Sequence, residues 1–589
     1  MIVVKRNGQK ENFNVLKIKN ALKAAFNSVE TIPDKDTFED IIDSIKIWDR
    51  INIEDIQDQI IESLRNFGYN NVADSYLIYR YKHEQARKAA KKLEYIHKYS
   101  NSKESAATLS NTDDNANSSN KNAASLEGEL YKNDSREIQR FQMKELLEEI
   151  GSLYKNQYIE DLNNHIFYQH DESCPILKPY CSAYTLYPLL VDGTNNVDGT
   201  KNHAPKHLSS FVGQFQNLVF LLSSQKKGAG AYGEFFNFFN YFCEKEWGED
   251  YWLRENDIIT SKACLNQQTI GSAINQYFQS ITHYINQPAG NRGSQSPFTN
   301  FNVFDSYYWH TMFDDFYFPD GTKAHWDAVN WLQKRYMKWL NEERTKTLLT
   351  FPVMTVCLLT DGKDVVDKEY KDFVATQWAE GDSFFVYLSE NADSISSCCR
   401  LRNEITENTF SSTTGMTGVQ TGSCNVMTLN LNRIIQDWAK INQIELNNFK
   451  APNNSLKEYI LNILNRIYDY QKAYKTGLYK MDKCGLLPQT KAGYISLDKL
   501  YCTIGVNGLN ECARFLGMKI SNNPTYMNFV SWLLGIIKES NKKHSEKRFK
   551  FNLELVPKRS GHFKFPLIDS KLLMGQRGAS KNILCSVND

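Results

Sequence analysis

Between Ser100 and Asp134 the chain runs through Ser, Asn, Asp, Ala and Lys with few large apolar residues. Such a stretch buries too little surface to offset the entropy of ordering it. It reads as a flexible linker, and it forces the chain to fold as at least two bodies. The partition that follows is an α-rich module over 1–92, the linker over 93–139, a long α/β region over 140–557, and a divergent basic tail over 558–589.

The 589 residues suffice for a large core. Lys and Arg number 69 against 68 Asp and Glu, which leaves no net-charge argument for DNA or a membrane surface. The apolar run Phe211–Leu222 is short and contains Gln214, Gln216 and Asn217, so it does not read as a membrane span. The first residues lack the layout of a secretory signal. Twelve cysteines without framework spacing point to a reducing compartment, hence the cytoplasm, and the absence of any Cys-x-x-Cys argues against a zinc ribbon.

In the first module, Val3–Gly8 reads as a strand into a turn, with helices from Val15, over Ile51–Leu64 and over Asn71–Lys88. In the large region, strands are expected at Val353–Thr360, Phe384–Leu388 and Val426–Leu431. Helices are expected at Val212–Ser223, Trp326–Asn341 and Leu456–Lys475. This alternation favours an α/β architecture around a buried sheet, open or closed into a barrel.

Chemistry concentrates at three cysteines. Cys398 and Cys399 are adjacent, and Cys424 closes a Gly/Thr/Ser-rich stretch before an alternating apolar run. Loops rich in Gly, Ser and Thr can cradle phosphate on their backbone N–H groups. Thr421, Gly422, Ser423 and Arg292, Gly293, Ser294, Gln295 are therefore candidate substrate-binding residues. In the first module Lys5 and Arg6, with Asn7 and Gly8 at the turn, can meet a triphosphate. His203 and His207 stand four apart, but Pro205 between them and the absence of an adjacent carboxylate in the sequence disfavour a metal site.

Val4-Lys5-Arg6-Asn7-Gly8, the helix Val15–Phe26 and the closing Val72–Arg80 resemble the ATP-cone, a regulatory nucleotide-binding domain. From about Tyr158 to Pro557 the chain resembles the class III, anaerobic ribonucleoside-triphosphate reductases. That resemblance rests on Pro179-Tyr180-Cys181, Ala204–Leu208, Gln287–Asn300, Cys398–Arg402, Thr421–Ser423, Thr503–Glu511 and Phe551–Glu554. It implies a ten-stranded α/β barrel with a cysteine loop threaded into its centre, where a glycyl radical turns a cysteine into a thiyl radical that attacks the ribose. By the family's Cys-Arg step, Cys399 is the thiyl residue and Cys398 the alternative. Cys181 matches the first-strand cysteine, and Cys424 stands where aerobic relatives carry its disulfide partner. That pairing implies a thioredoxin- or glutaredoxin-like donor; without it the reductant would be formate.

The resemblance further implies ATP or dATP as effectors, a radical-SAM iron–sulfur activase, a homodimer, and the cytoplasm of a bacterium or a virus-infected bacterial host. The family's four-cysteine zinc site and its glycyl-radical loop are not found after Pro557, where only Cys585 remains, so the barrel is expected to be incomplete and the radical supplied by another segment. Two other readings stand beside the reductase. One is a non-catalytic nucleotide-binding relic or regulatory subunit. The other is a glycyl-radical lyase, against which the cone and Thr421–Leu431 argue.

Overall fold

The computed structural model describes residues 2–555 except 6–9, 47, 49, 106–108, 110–120, 195–201, 260–267, 289–294, 393, 397–401, 405–419 and 445–448. The chain divides into two units, residues 1–103 and 104–589.

The first unit is a three-stranded sheet under four helices. β1 (Ile2–Val4) lies between β2 (Lys10–Asn12), antiparallel, and β3 (Arg50–Asn52), parallel. Helices α1 (Val15–Ser28), α2 (Lys35–Asp43), α3 (Ile53–Asn66) and α4 (Asn70–Asn101) follow. Asn14 and Asp34 cap α1 and α2 through the N–H groups of Leu16 and Thr37. The apolar stripes of these helices meet Val3 and Ile51 in a core of Leu22, Phe26, Ile41, Ile60 and Leu64. The expected helix over Ile51–Leu64 starts two residues late because Ile51 pairs with Val3 in the sheet.

The second unit is built on a nine-stranded sheet. Its strands are β4 (Phe167–Gln169), β5 (Cys181–Ala183), β6 (Gly230–Tyr232), β9 (Thr299–Phe304), β10 (Val353–Leu359), β11 (Phe384–Ser389), β14 (Gly422–Asn430), β15 (Leu500–Asn507) and β16 (Lys550–Leu555). Two short ladders lie apart from it: β7 (Ile258–Ile259) with β8 (Gln268–Thr269), and β12 (Ser394–Ser396) with β13 (Arg402–Glu404). The order is β11-β10-β9-β6-β5-β14-β15-β16, with β4 also paired to β14. β5, β6, β9, β10 and β11 are mutually parallel, as are β14, β15 and β16. The two sets meet antiparallel at β5 and β14. A sequence expectation of ten barrel strands thus meets nine strands among the described residues.

Alternation along the strands sorts side chains between two faces. Tyr232 and Phe301 face helices and stack among Phe215, Phe235 and Tyr336, with Phe235 and Phe301 parallel at 4.2 Å. Each fully buried ring contributes about 2 kcal/mol through the area it removes from water. The opposite face carries Cys181, Ala183, Ala231, Asn300, Asn302 and Thr355, small or polar residues.

The flanks of the predicted linker are helical. Residues 93–101 are the last turns of α4, and Ala123–Glu149 is one helix capped by Asn122. Long polar residues are good helix formers, and this helix gains packing from Met143, Leu146 and Leu147, which join the core of the second unit. The tail 558–589, with Cys585, lies outside the described residues.

Candidate active site

Cys181 is buried at the junction of the two parallel sets, in register with Ser423. The Ala229 N–H donates to its Sγ at 3.2 Å. Two glycines let this junction close. A Cβ on Gly422 would stand 2.1 Å from the Cys181 carbonyl oxygen, and one on Gly228 would stand 2.6 Å from Cys181 Sγ. The Lys226–Gly230 segment, unassigned in the sequence reading, is therefore the strand lead-in that covers Cys181. Lys226 and Lys227 within it are themselves buried.

The candidates beside Cys181 are tied into the fold. Thr421 gives its hydroxyl to the Lys499 carbonyl at 3.0 Å, and Ser423 Oγ reaches the Asn425 carbonyl at 3.0 Å and Thr503 Oγ1 at 2.8 Å. Their hydroxyls hold β14 to β15, and Gly422 sets the close approach to β5. Gln295 is buried just before β9. His170 Nε2 meets Thr428 Oγ1 at 2.8 Å. Burial, helped by the Lys227 charge, brings His170 down to about 4, so it is neutral at physiological pH.

Other polar groups on these strands have no partner among the described residues. Among them are the side-chain amide oxygens of Asn300 and Asn302 and both polar side-chain atoms of Asn425, all in fully buried residues. An unbonded buried amide costs about 1–3 kcal/mol, so these atoms suit a polar ligand in contact with the sheet.

Cys424 departs from the expected geometry. β14 shifts register between Ser423 and Asn425, leaving Cys424 at a bulge. Its Sγ lies 3.3 Å from that of Cys502, whose own sulfur faces the Gln471 carbonyl on the helix Asn454–Lys483. The register therefore sets Cys181 against Ser423 and brings Cys424 to Cys502, a residue the sequence reading did not single out. The signal was available only across strands: Cys502 lies beside Asn425 in the ladder but 78 positions from Cys424 in sequence. None of the eight cysteines among the described residues is in a disulfide. Cys398 and Cys399, and likewise Arg292, Gly293 and Ser294, fall outside the described residues.

In the first unit a cavity of about 830 Å³ is lined by the cations Lys5, Arg80, Arg87, Lys88 and Lys91 and by the carboxylates Glu11, Glu54, Glu84 and Glu94. Lys5 and Lys17 both bond Glu11, at 2.8 and 2.9 Å, which holds its carboxyl below the usual range. Arg80 bridges Glu54 and Asp58. Arg6, Asn7 and Gly8 lie outside the described residues. His207, exposed, bonds Glu246 at 3.0 Å. No group of three or more metal-ligating side chains, and no helix long and apolar enough to cross a membrane, occurs among the described residues.

The second unit is thus an α/β sheet with a buried cysteine where its two parallel sets meet antiparallel, and the first is a small domain whose cavity carries both cations and carboxylates. Comparison with known proteins makes that specific. The anaerobic ribonucleoside-triphosphate reductase family matches residues 128–583, and the ATP cone domain matches residues 1–85. The chain belongs to the anaerobic ribonucleoside-triphosphate reductases and carries an ATP-cone for allosteric regulation by nucleotides. The family match runs through 558–583, where the sequence reading found no resemblance.

Solved structures agree. The anaerobic ribonucleotide reductase of Thermotoga maritima with citrate in the active site is 25% identical, with a TM-score of 0.64 over 77% of this chain and 78% of that one. The same enzyme in complex with dATP and CTP is 27% identical, with a TM-score of 0.64 over 77% and 71%. With dATP in the specificity site it is 27% identical, with a TM-score of 0.65 over 78% and 74%. Sequence comparison with curated proteins gives no match.

Proposed function

We propose that the chain reduces ribonucleoside triphosphates by thiol chemistry centred on the inner face of the sheet at Cys181. The observation that carries this reading is the buried Cys181 at the β5–β14 junction, on the sheet face that also carries Asn300 and Asn302 with their unpartnered side-chain oxygens, which suit a ribose. The family's glycyl radical supplies the initial one-electron oxidation of a thiol. Cys399, with Cys398 as the alternative, is the thiol that exchanges a hydrogen atom with the ribose 3′ carbon. Cys181 and Cys424 then give two electrons and two protons, the 2′ hydroxyl leaves as water, and the two sulfurs end as a disulfide. A small thiol donor resets it; formate is the alternative reductant.

The Lys5–Arg80 cavity is where ATP or dATP would bind, its cations replacing their carboxylate partners by phosphate. Nucleotide there and substrate at the sheet influence one another by the same factor. A radical-SAM activase, a homodimer and a cytoplasmic setting complete the reading.

The test is anaerobic turnover with an activase, the segment that carries the radical glycine, and each reductant in turn. Cys399→Ser should lose at least about a thousandfold under either reductant. Cys181→Ser should lose multiple turnover. Full activity in Cys399→Ser and Cys398→Ser alike would overturn the assignment. Nucleotide binding without turnover in the wild type would leave a binding protein instead.

A further inference from the structure

Cys424 stands between two cysteines on its two neighbouring strands. On one side the ladder pairs Ser423 with Cys181; on the other it pairs Asn425 with Cys502. Cys424 itself occupies the bulge between these pairs, a backbone device that re-aims a side chain. In the structure it is aimed at Cys502, sulfur to sulfur at 3.3 Å, inside the layer between the sheet and the helix Asn454–Lys483.

That layer also holds a buried cation. Lys475 is fully buried and donates to the Leu500 carbonyl at 2.7 Å. Burial works against a thiolate at Cys424, but the Cys502 contact and the Lys475 charge outweigh it and hold its thiol below the ordinary value. At Cys502 burial dominates and pushes the thiol up, with Lys475 again opposing. A buried lysine whose charge acts on two touching thiols suits a place where a proton is given up during sulfur exchange. Cys181, for its part, has the Ala229 N–H at 3.2 Å to receive a departing thiolate.

We propose that Cys502 is the resolving thiol of Cys424. The step rests on the reading that Cys181 and Cys424 are the electron donors. Cys502 attacks Cys424 Sγ in the Cys181–Cys424 disulfide. The Cys181–Cys424 bond breaks, the Cys424–Cys502 bond forms, and Cys181 leaves as thiolate and takes up the proton that Cys502 lost. No electrons enter or leave. The oxidised bond passes from the substrate face to the helix-covered face, and Cys181 is restored as a thiol.

The test needs no radical. The full-length protein is equilibrated anaerobically for hours in glutathione/glutathione-disulfide buffers, acid-quenched, alkylated and digested without reduction, and linked peptides are quantified. The proposal expects Cys424–Cys502 peptides to exceed Cys181–Cys424 peptides about tenfold or more in the wild type. In Cys502→Ser and Cys502→Ala the Cys181–Cys424 link should take their place. A wild type with the Cys181–Cys424 link and Cys502 alkylated throughout would overturn the relay but keep the donor pair. A Cys424–Cys502 link in the wild type with no Cys181 link in either Cys502 variant would sink the donor pair, and the relay with it. No link in the wild type would also overturn the relay, and that arm holds even if the variants fold poorly.

Discussion

In the cone, Arg80 meets Glu54 and Asp58 with side chains that keep 22%, 37% and 67% of their exposure. In the reductase unit, Arg466 grips Asp161 through two bonds of 2.8 and 3.0 Å, and the Asp161 side chain keeps 2%. Tyr470 gives Asp161 a third bond at 2.8 Å. The same chemistry serves two purposes. A pair in water contributes little and can be exchanged for a phosphate, whereas a buried, fully bonded pair is fixed because neither partner can be left alone. The cone's pairs are of the replaceable kind that the proposed effector site needs, and those of the unit carrying Cys181 are not.

The contrast breaks most visibly at Asp161. Arg466→Ala should leave a buried carboxylate uncompensated and cost about 3–5 kcal/mol in denaturant unfolding; a loss under 1 kcal/mol would erase the distinction. Gly422→Ala comes next. Its methyl would collide with the Cys181 carbonyl oxygen at 2.1 Å, and we expect about 3 kcal/mol lost together with reductase activity. Wild-type stability in that variant would mean that β5 and β14 do not approach so closely.

Glu234 sharpens the comparison through pH. Burial raises its carboxyl to about 8, against bonds from the Leu186 N–H and the Thr185 hydroxyl that work the other way. Its ordinary value is near 4.5, so between 4.5 and 8 the unfolded chain has lost the proton that the folded chain keeps. Stability therefore falls as pH rises through that window, by at most ~1.4 kcal/mol per unit, and levels off above it. Glu234→Gln should flatten that slope; an unchanged slope would refute the assignment.

The smallest stability effect is expected in the cone. Arg80→Ala should cost about 0.5 kcal/mol or less while weakening dATP binding about tenfold or more by calorimetry, with marked salt dependence. Unchanged affinity would move the effector site elsewhere.

Much of this was legible beforehand. Val353–Thr360, Phe384–Leu388 and Val426–Leu431 fall on strands except for Thr360 and Leu431 at their ends, and Trp326–Asn341 and Leu456–Lys475 are helices, because their apolar periods are long and their ends are marked by Asp, Asn, Gly or Pro. What stayed hidden depends on partners far away in sequence. Residues 123–139 look too polar to fold, yet they extend a helix anchored by Met143 and Leu147. Gly228 looks like any turn glycine until Cys181 is placed against it. Cys502 looks like a core cysteine until the bulge at Cys424 turns one sulfur to the other.

The most direct test of the account counts thiols. The activated enzyme, stripped of external thiol and formate, is given one ribonucleoside triphosphate under anaerobic conditions, and protein thiols are titrated as product forms. Electrons drawn from within the sheet predict two thiols lost per deoxyribonucleotide, with Cys181→Ser forming none. Product that appears only when formate is added, with no thiol lost, would contradict it.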